Sequence, residues 1–254
     1  GIWHEYLDQV KALAARYGLV IRTLHSHIGS GTDPEIWKRV TRMTLDLAAR
    51  FPDVSVVNLG GGLKVGRMPD EESVNLEEVG WHVRTELEGF HAREGRALHL
   101  ELEPGTLLVA ESGAVVATCV DIVDTGADGY LFAKLDTGMP EVARPAMYGA
   151  QHPIDVLASG RPRADVVFVG PCCESGDILT PAPGDPEALG PRSVPRPQIG
   201  DLVVVGGAGA YCAGMAMINY NSYPQAPEVM LEPDGTLRLL RRRQSPNQIV
   251  ANEL

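Results

Sequence analysis

The order of apolar runs and glycine-bearing loops constrains this chain more than any other feature. Trp3, Tyr6, Leu7, Val10, Leu13, Ala14 and Tyr17 recur at helical spacing, and Gly18 stands where a left-handed cap closes a helix. The run Leu19 to Leu24 reads as a buried strand that ends in the polar loop His25-Ser26-His27-Ile28-Gly29-Ser30-Gly31. Asp33 and Pro34 then supply an N-cap and a first helical residue, and Ile36, Val40, Met43 and Leu47 line one face of the helix they open. A second strand, Val54 to Leu59, ends in Gly60-Gly61-Gly62. A helix with an Asn75 to Glu78 capping box and the stripe Leu76, Val79, Val83, Leu87 and Phe90 follows, before a third strand, His99 to Glu103, stopped by Pro104-Gly105. Strands alternating with amphipathic helices predict parallel β/α architecture, as an open sheet or as part of a barrel.

From about residue 113 the pattern changes. Ala114 to Val123, Tyr130 to Leu135, Val166 to Val169, Leu202 to Val205 and Val229 to Leu240 are β-rich segments, the last turning at Pro233-Asp234-Gly235. The expected organisation is therefore an α/β portion over residues 1–112 and a mainly antiparallel β domain over residues 113–254. Residues 180–200 carry six prolines and little apolar content, which predicts a surface excursion. Ser245-Pro246 with Gln248 predicts another helix start.

Composition excludes several classes of partner. Hydrophobic residues make up 44% of the chain and charged residues 22%, a globular balance, and no apolar run reaches the roughly 18 to 20 residues of a membrane span. Lys plus Arg total 22 against 33 Asp plus Glu, and the net charge of −11 repels nucleic acid and anionic lipid. Cys119, Cys172, Cys173 and Cys212 show no CxxC spacing, so neither a zinc ribbon nor a disulfide scaffold is expected, and a reducing cytoplasm is the expected location.

Single motifs leave alternatives open. His25 and His27 lie two apart on a strand and share a face, which suits either a metal or a hydrogen-bonded structural pair. Gly29-Ser30-Gly31 offers backbone amides and a hydroxyl before a helix, an anion-binding arrangement or an ordinary turn. Gly60-Gly61-Gly62 is a tight turn or a phosphate cradle, and Glu103 is either solvated or turned toward a site at the strand ends. Cys172-Cys173-Glu174-Ser175-Gly176-Asp177 sets thiols beside carboxylates, as a reactive or a structural group. Tyr211 could donate to a phosphate oxygen or simply pack, and Arg241, Arg242 and Arg243 form a solvated or interface run.

In order, HSHIGSG, NLGGG, ELEPG, ARPAMY, CCESGD and GAYCAGMAMINYN resemble the motif series of the fold-type III pyridoxal-phosphate decarboxylases, which act on diaminopimelate, ornithine and arginine. The resemblance covers residues 19–222, and the CESGD and RPxxY forms are most similar to the diaminopimelate branch. It implies the C-terminal part of a (β/α)8 barrel followed by a β domain, pyridoxal 5'-phosphate as cofactor, and a homodimer with shared active sites. It implies that His27 stacks on the cofactor ring, that Ser30, Gly60, Gly61, Gly62 and Tyr211 hold its phosphate, and that Glu103 pairs with its ring nitrogen. An anion there keeps the nitrogen protonated and the ring an electron sink. It further implies that Cys173 reprotonates Cα, that Glu174 recognises the distal amine, and that Arg144 and Tyr148 contact a substrate carboxylate.

The chain departs from the family series in two places. Thr106 follows Glu103-Pro104-Gly105 where the family has Arg, and Thr lacks a bidentate guanidinium. Lys11, Lys38, Lys64 and Lys134 match no Schiff-base position, which in the family lies near the first barrel strand. With three of eight units visible at about 30 residues each, about 150 residues are expected to precede Gly1 as a segment or companion chain. A chain left with open barrel edges is not expected to be a stable monomer. The implied activity is decarboxylation of a diamino or basic amino acid, with meso-diaminopimelate to lysine as the leading case and ornithine, arginine or lysine as alternatives. A non-catalytic binding homologue and a racemase on a related barrel are the rival readings.

Overall fold

A computed structural model describes residues 1–254. The chain divides into two units, the first formed by Gly1–Gly66 with Glu71–Leu107 and the second by Arg67–Asp70 with Leu108–Leu254. The change of pattern expected near residue 113 falls a few residues after this division.

The first unit is a three-stranded parallel sheet with its helices. Helix α1 (Leu7–Arg16) follows a single 3-10 turn at His4–Tyr6. It ends in a left-handed Gly18, with Leu19 N–H donating to Ala14 O at 2.8 Å and Gly18 N–H to Ala15 O at 3.3 Å, the two bonds of a Schellman cap. Strand β1 (Thr23–His25) leads to α2 (Pro34–Ala49), whose N-cap Asp33 accepts Glu35 N–H at 2.9 Å. Strand β2 (Val56–Asn58) leads to α3 (Leu76–Glu94), capped by Asn75, which accepts from Glu77 and Glu78 N–H at 3.2 Å each. Strand β3 (His99–Glu101) completes the sheet in the order β1-β2-β3, with His25, Asn58 and Glu101 in one row across it. Leu45, Phe51, Val54, Val57 and Phe90 form one apolar cluster, and Trp37, Leu59, Leu63, Val79 and Val83 a second.

The strands are shorter than their apolar runs. Leu19 and Val20 are exposed, and the ladder starts only where Arg22 O accepts from Ser55 and Val56 N–H. Apolar content marks a tendency to be buried, whereas a strand also requires a paired neighbour at the same level.

The short helix α4 (Thr106–Val109) carries the chain across the division between the units, and the second unit centres on a six-stranded mixed sheet. Its strands are β4 (Val115–Asp124), β5 (Leu131–Leu135), β6 (Ile154–Val156), β7 (Arg163–Val169), β10 (Arg192–Pro195) and β11 (Leu202–Val205), in the order β10-β7-β5-β4-β11-β6. All pairs are antiparallel except β5 with β7. Helix α5 (Arg144–Tyr148) lies between β5 and β6 in sequence. Ala133, Leu135, Val166, Phe168, Val203 and Val205 are fully buried beneath the sheet.

Residues 180–200 correct the expected surface excursion. They form a two-stranded ribbon, β8 (Pro181–Ala182) with β9 (Asp185–Leu189), followed by β10 at the sheet edge, where Val194 enters the core. An edge strand leaves one row of amides unpaired, so it accepts prolines that a central strand would reject. The hairpin β12 (Glu228–Leu231) and β13 (Leu237–Arg241) turns as expected, and α6 (Pro246–Ile249) carries the Ser245–Gln248 capping box.

Arg96 ties the first unit together from the loop before β3. Its guanidinium donates to Ala48 O at 2.7 Å, Phe51 O at 3.2 Å and Val54 O, satisfying carbonyls where α2 ends and β2 begins. Replacing Arg96 with Ala leaves Val54 O without its donor and takes the second donor from Ala48 O and Phe51 O, which keep the Phe51 and Val54 amides, and the expected cost is about 1–3 kcal/mol. A lower urea midpoint for R96A in the full-length protein checks this, and an unchanged midpoint contradicts it.

Candidate active site

In a parallel sheet the loops that follow neighbouring strands emerge side by side, so three segments distant in sequence meet at one end of the first unit. Glycine lets them touch. A Cβ at Gly60 would lie 2.6 Å from His27 Nδ1, one at Gly61 would lie 2.5 Å from Glu103 O, and one at Gly62 would lie 1.9 Å from Gly29 O. Gly60 and Gly62 also adopt left-handed φ of 68° and 94°. Backbone bonds lock the approach, with Glu103 N–H donating to Gly60 O at 2.9 Å and Gly31 N–H to Gly62 O at 3.1 Å.

The side chains follow from that frame. His27 Nδ1 accepts Gly61 N–H at 3.2 Å, so Nδ1 carries no proton and the ring is held in one tautomer. Glu103 Oε1 accepts Asn58 Nδ2–H at 2.9 Å, and its Oε2 lies 3.5 Å from His25 Nε2. Ser26 donates to Thr44 Oγ1 at 2.9 Å, because the Thr44 proton is already committed to Val40 O. Ser30 Oγ and Gly62 N–H, on the facing loops, have no acceptor in the chain. The structure thus brings together His25, His27, Ser30, the triglycine turn and Glu103. The two histidines make separate contacts, and no group of three or more metal-ligating side chains forms around them.

The set fits pyridoxal 5'-phosphate. Backbone amides on glycine turns with a serine hydroxyl suit a phosphate, an imidazole fixed against the turn offers a flat face, and a carboxylate held nearby suits a ring nitrogen. Asn58, the first residue of NLGGG, is the one to which the motif series assigned no role. Its signal is a polar side chain closing an otherwise apolar strand.

In the second unit, Asp177 organises the CCESGD loop. Its buried carboxylate accepts Met139 N–H at 2.7 Å and Cys172 N–H at 2.9 Å, and Gly138 and Gly170 leave it room, since a Cβ on either would lie within 2.3 Å of its oxygens. Glu174 Oε2 accepts the Tyr220 hydroxyl at 3.1 Å, and Oε1 accepts Gly176 N–H at 3.3 Å. These donors hold the Glu174 carboxyl below its ordinary range, the Gly176 amide contributing most. Cys173 is exposed, its Sγ 3.7 Å from Asn221 Oδ1. Burial and the Asp177 charge push the neighbouring Cys172 thiol up to about 12. Residues 219–222 meet this loop through left-handed φ values at Asn219, Asn221 and Ser222, a conformation that the Asn-Tyr-Asn sequence tolerates.

The remaining candidates stand elsewhere in the second unit. Arg144 opens α5 and donates to His152 Nε2 at 2.8 Å, while His152 Nδ1 donates to Gly206 O at 2.9 Å. A carbonyl only accepts, so His152 carries its proton on Nδ1 and is neutral in this arrangement. Tyr148 closes the same helix with its ring exposed, and Tyr211 is exposed with a left-handed φ of 59°.

Residues 1–110 match the family described as "Pyridoxal-dependent decarboxylase, pyridoxal binding domain", and residues 106–209 match "Pyridoxal-dependent decarboxylase, C-terminal sheet domain". The chain is 39% identical to a diaminopimelate decarboxylase of Streptomyces coelicolor, covering 100% of this chain and 58% of the relative. It is 36% identical to the diaminopimelate decarboxylase of Escherichia coli, covering 100% and 61%. A crystal structure of diaminopimelate decarboxylase superposes with a TM-score of 0.92 at 34% identity, covering 100% of this chain and 61% of that one. The Helicobacter pylori enzyme complexed with L-lysine gives 0.79 at 28% identity, covering 92% and 55%. The chain therefore spans about three fifths of the length of the relatives it matches. With both family domains matched in order, and the glycine-framed loops and the CCESGD loop described, the chain belongs to the pyridoxal-dependent decarboxylase family.

Proposed function

We propose that the protein to which this chain belongs decarboxylates meso-diaminopimelate to lysine with pyridoxal 5'-phosphate. The observation that carries the reading is the meeting of His27, the triglycine turn and Glu103 at the ends of three adjacent parallel strands. The cofactor supplies an electron sink for the charge left at Cα when carbon dioxide departs. Gly60, Gly61, Gly62, Ser30 and Tyr211 bind its phosphate, and His27, fixed by the Gly61 amide, lies against its ring. Glu103 holds a proton at the ring nitrogen, which is what makes the ring electron-poor.

Specificity and proton return fall to the second unit. Glu174, kept anionic by Gly176 and Tyr220, pairs with the distal ammonium of the substrate. Arg144 and Tyr148 take a substrate carboxylate, and Cys173 returns a proton to Cα. Cys172, half-buried beside Asp177, keeps its own proton and stays structural.

A longer protein completes the barrel and supplies the Schiff-base lysine in this reading. Support comes from β1 and β3, whose outer edges pair with no other strand, and from an apolar groove of about 340 Å³ lined by Trp37, Val79, Val83, Leu100 and Leu102. Both features suit a further β/α unit packed against the sheet. The working form is a homodimer with shared sites, placed in the cytoplasm because all four cysteines are free. No helix is long and apolar enough to cross a membrane.

Full-length protein supplied with pyridoxal phosphate is expected to release carbon dioxide from meso-diaminopimelate, with lysine as product. Release from ornithine or arginine alone would move the substrate, and release from no basic amino acid would sink the enzyme reading. The Glu174 environment adds a pH dependence. Its folded pKa is depressed, so the carboxylate stays charged as pH falls through the ordinary carboxylate range. Tyr220→Phe removes one donor and moves that pKa back toward the ordinary carboxylate value, so KM is expected to stay near wild type at pH 8 and to rise only as pH falls into the ordinary carboxylate range, near pH 4 and below. A pH-independent change in KM would rule out this role for the Tyr220 hydroxyl.

A further inference from the structure

We infer that Asn58 is a positioning residue for the Glu103 carboxylate and couples it to the triglycine turn, an inference that rests on the cofactor reading above. Asn58 ends the middle strand of the parallel sheet, between His25 and Glu101, and is only 9% exposed. Its amide orientation is fixed by its partners. Gly60 N–H can only donate, and it lies 2.8 Å from Oδ1, so Nδ2 faces the acids. There Nδ2 donates to Glu103 Oε1 at 2.9 Å and to Glu101 Oε2 at 3.3 Å.

The contacts close a ring. Asn58 holds Gly60 through Oδ1, Gly60 O accepts Glu103 N–H at 2.9 Å, and the Glu103 side chain returns to Nδ2. One uncharged group therefore sets the turn, engages Glu103 through Oε1 and stands between two carboxylates that would otherwise repel. Glu103 has a half-exposed side chain, and its other neighbour, His25, is 3.5 Å away. Without the Asn58 amide it loses its direction, and a carboxylate aimed elsewhere no longer favours a proton at the ring nitrogen.

Asn58→Asp tests this with little change of shape. It preserves an acceptor for Gly60 N–H, replaces the donor by an acceptor, and puts a third carboxylate beside Glu101 and Glu103. In the full-length protein N58D is expected to leave the thermal midpoint of the cofactor-free form within a few degrees of wild type. Pyridoxal phosphate affinity, measured by equilibrium dialysis, should fall about tenfold. The pH midpoint of the bound cofactor's absorption change should shift by about one unit. Because Asn58 acts through Glu103, adding N58D to E103Q should change either readout far less than adding it to wild type. Should N58D fail to fold, N58S, which brings no charge, carries the same readouts. Wild-type affinity and titration in either variant, or full additivity with E103Q, overturns the inference while leaving the cofactor reading intact. A wild-type protein that binds no pyridoxal phosphate overturns both.

Discussion

The close approach of backbone to backbone at Gly60, Gly61 and Gly62 is the constraint on which the first unit's site depends. A side chain at any of the three would intrude on His27, Glu103 or Gly29. With none there, Gly61 N–H reaches an imidazole nitrogen and Gly60 O reaches the Glu103 amide. The cost is the conformational freedom that glycine surrenders, and bonds from both flanking loops offset it. Geometry of this kind needs a rigid base. The paired row of Leu24, Val57 and Leu100 across the sheet supplies it, with Val57 and Leu59 in the core directly before the turn.

A buried carboxylate plays the corresponding part in the second unit. Asp177 gathers the amides of Met139 and Cys172 and so bends the CCESGD loop around itself. A buried acid accepting two backbone donors is well compensated, which lets Cys173 and Glu174 project from the same loop toward residues 219–222. Gly138 and Gly170 make room for the bend, since a Cβ on either would collide with the Asp177 carboxylate.

Much of this was legible in the residues. Caps at Gly18, Asp33, Asn75 and Ser245 depend on local chemistry and appear where the sequence puts them. The grouping of His27, the glycines and Glu103 follows from parallel strands placing their ends together. Strand length was not legible, because Leu19 and Val20 are apolar yet no neighbour pairs with them. Nor was the edge strand within residues 180–200, since proline content argues against a strand only where both edges must bond. Asn58 escaped for a third reason. Its importance lies in three partners, and two of them, Glu101 and Glu103, are more than 40 residues away.

Three acids near the second unit's loop show why composition alone could not assign roles. Asp177 is buried and bonded to two amides, Glu174 is exposed and held below its ordinary range by Gly176 and Tyr220, and Glu141 is pushed up by burial despite a bond from Thr137. The same functional group is thus a scaffold, a standing charge and a reluctant acid within one unit. What separates them is how many donors each oxygen meets and how much water remains. A recognition charge for a distal ammonium has to stay ionised and reachable, and of the three only Glu174 combines exposure with a depressed pKa. Its placement beside the exposed thiol of Cys173 then means that, in the function proposed above, substrate recognition and proton delivery fall on consecutive residues of one loop whose shape Asp177 determines.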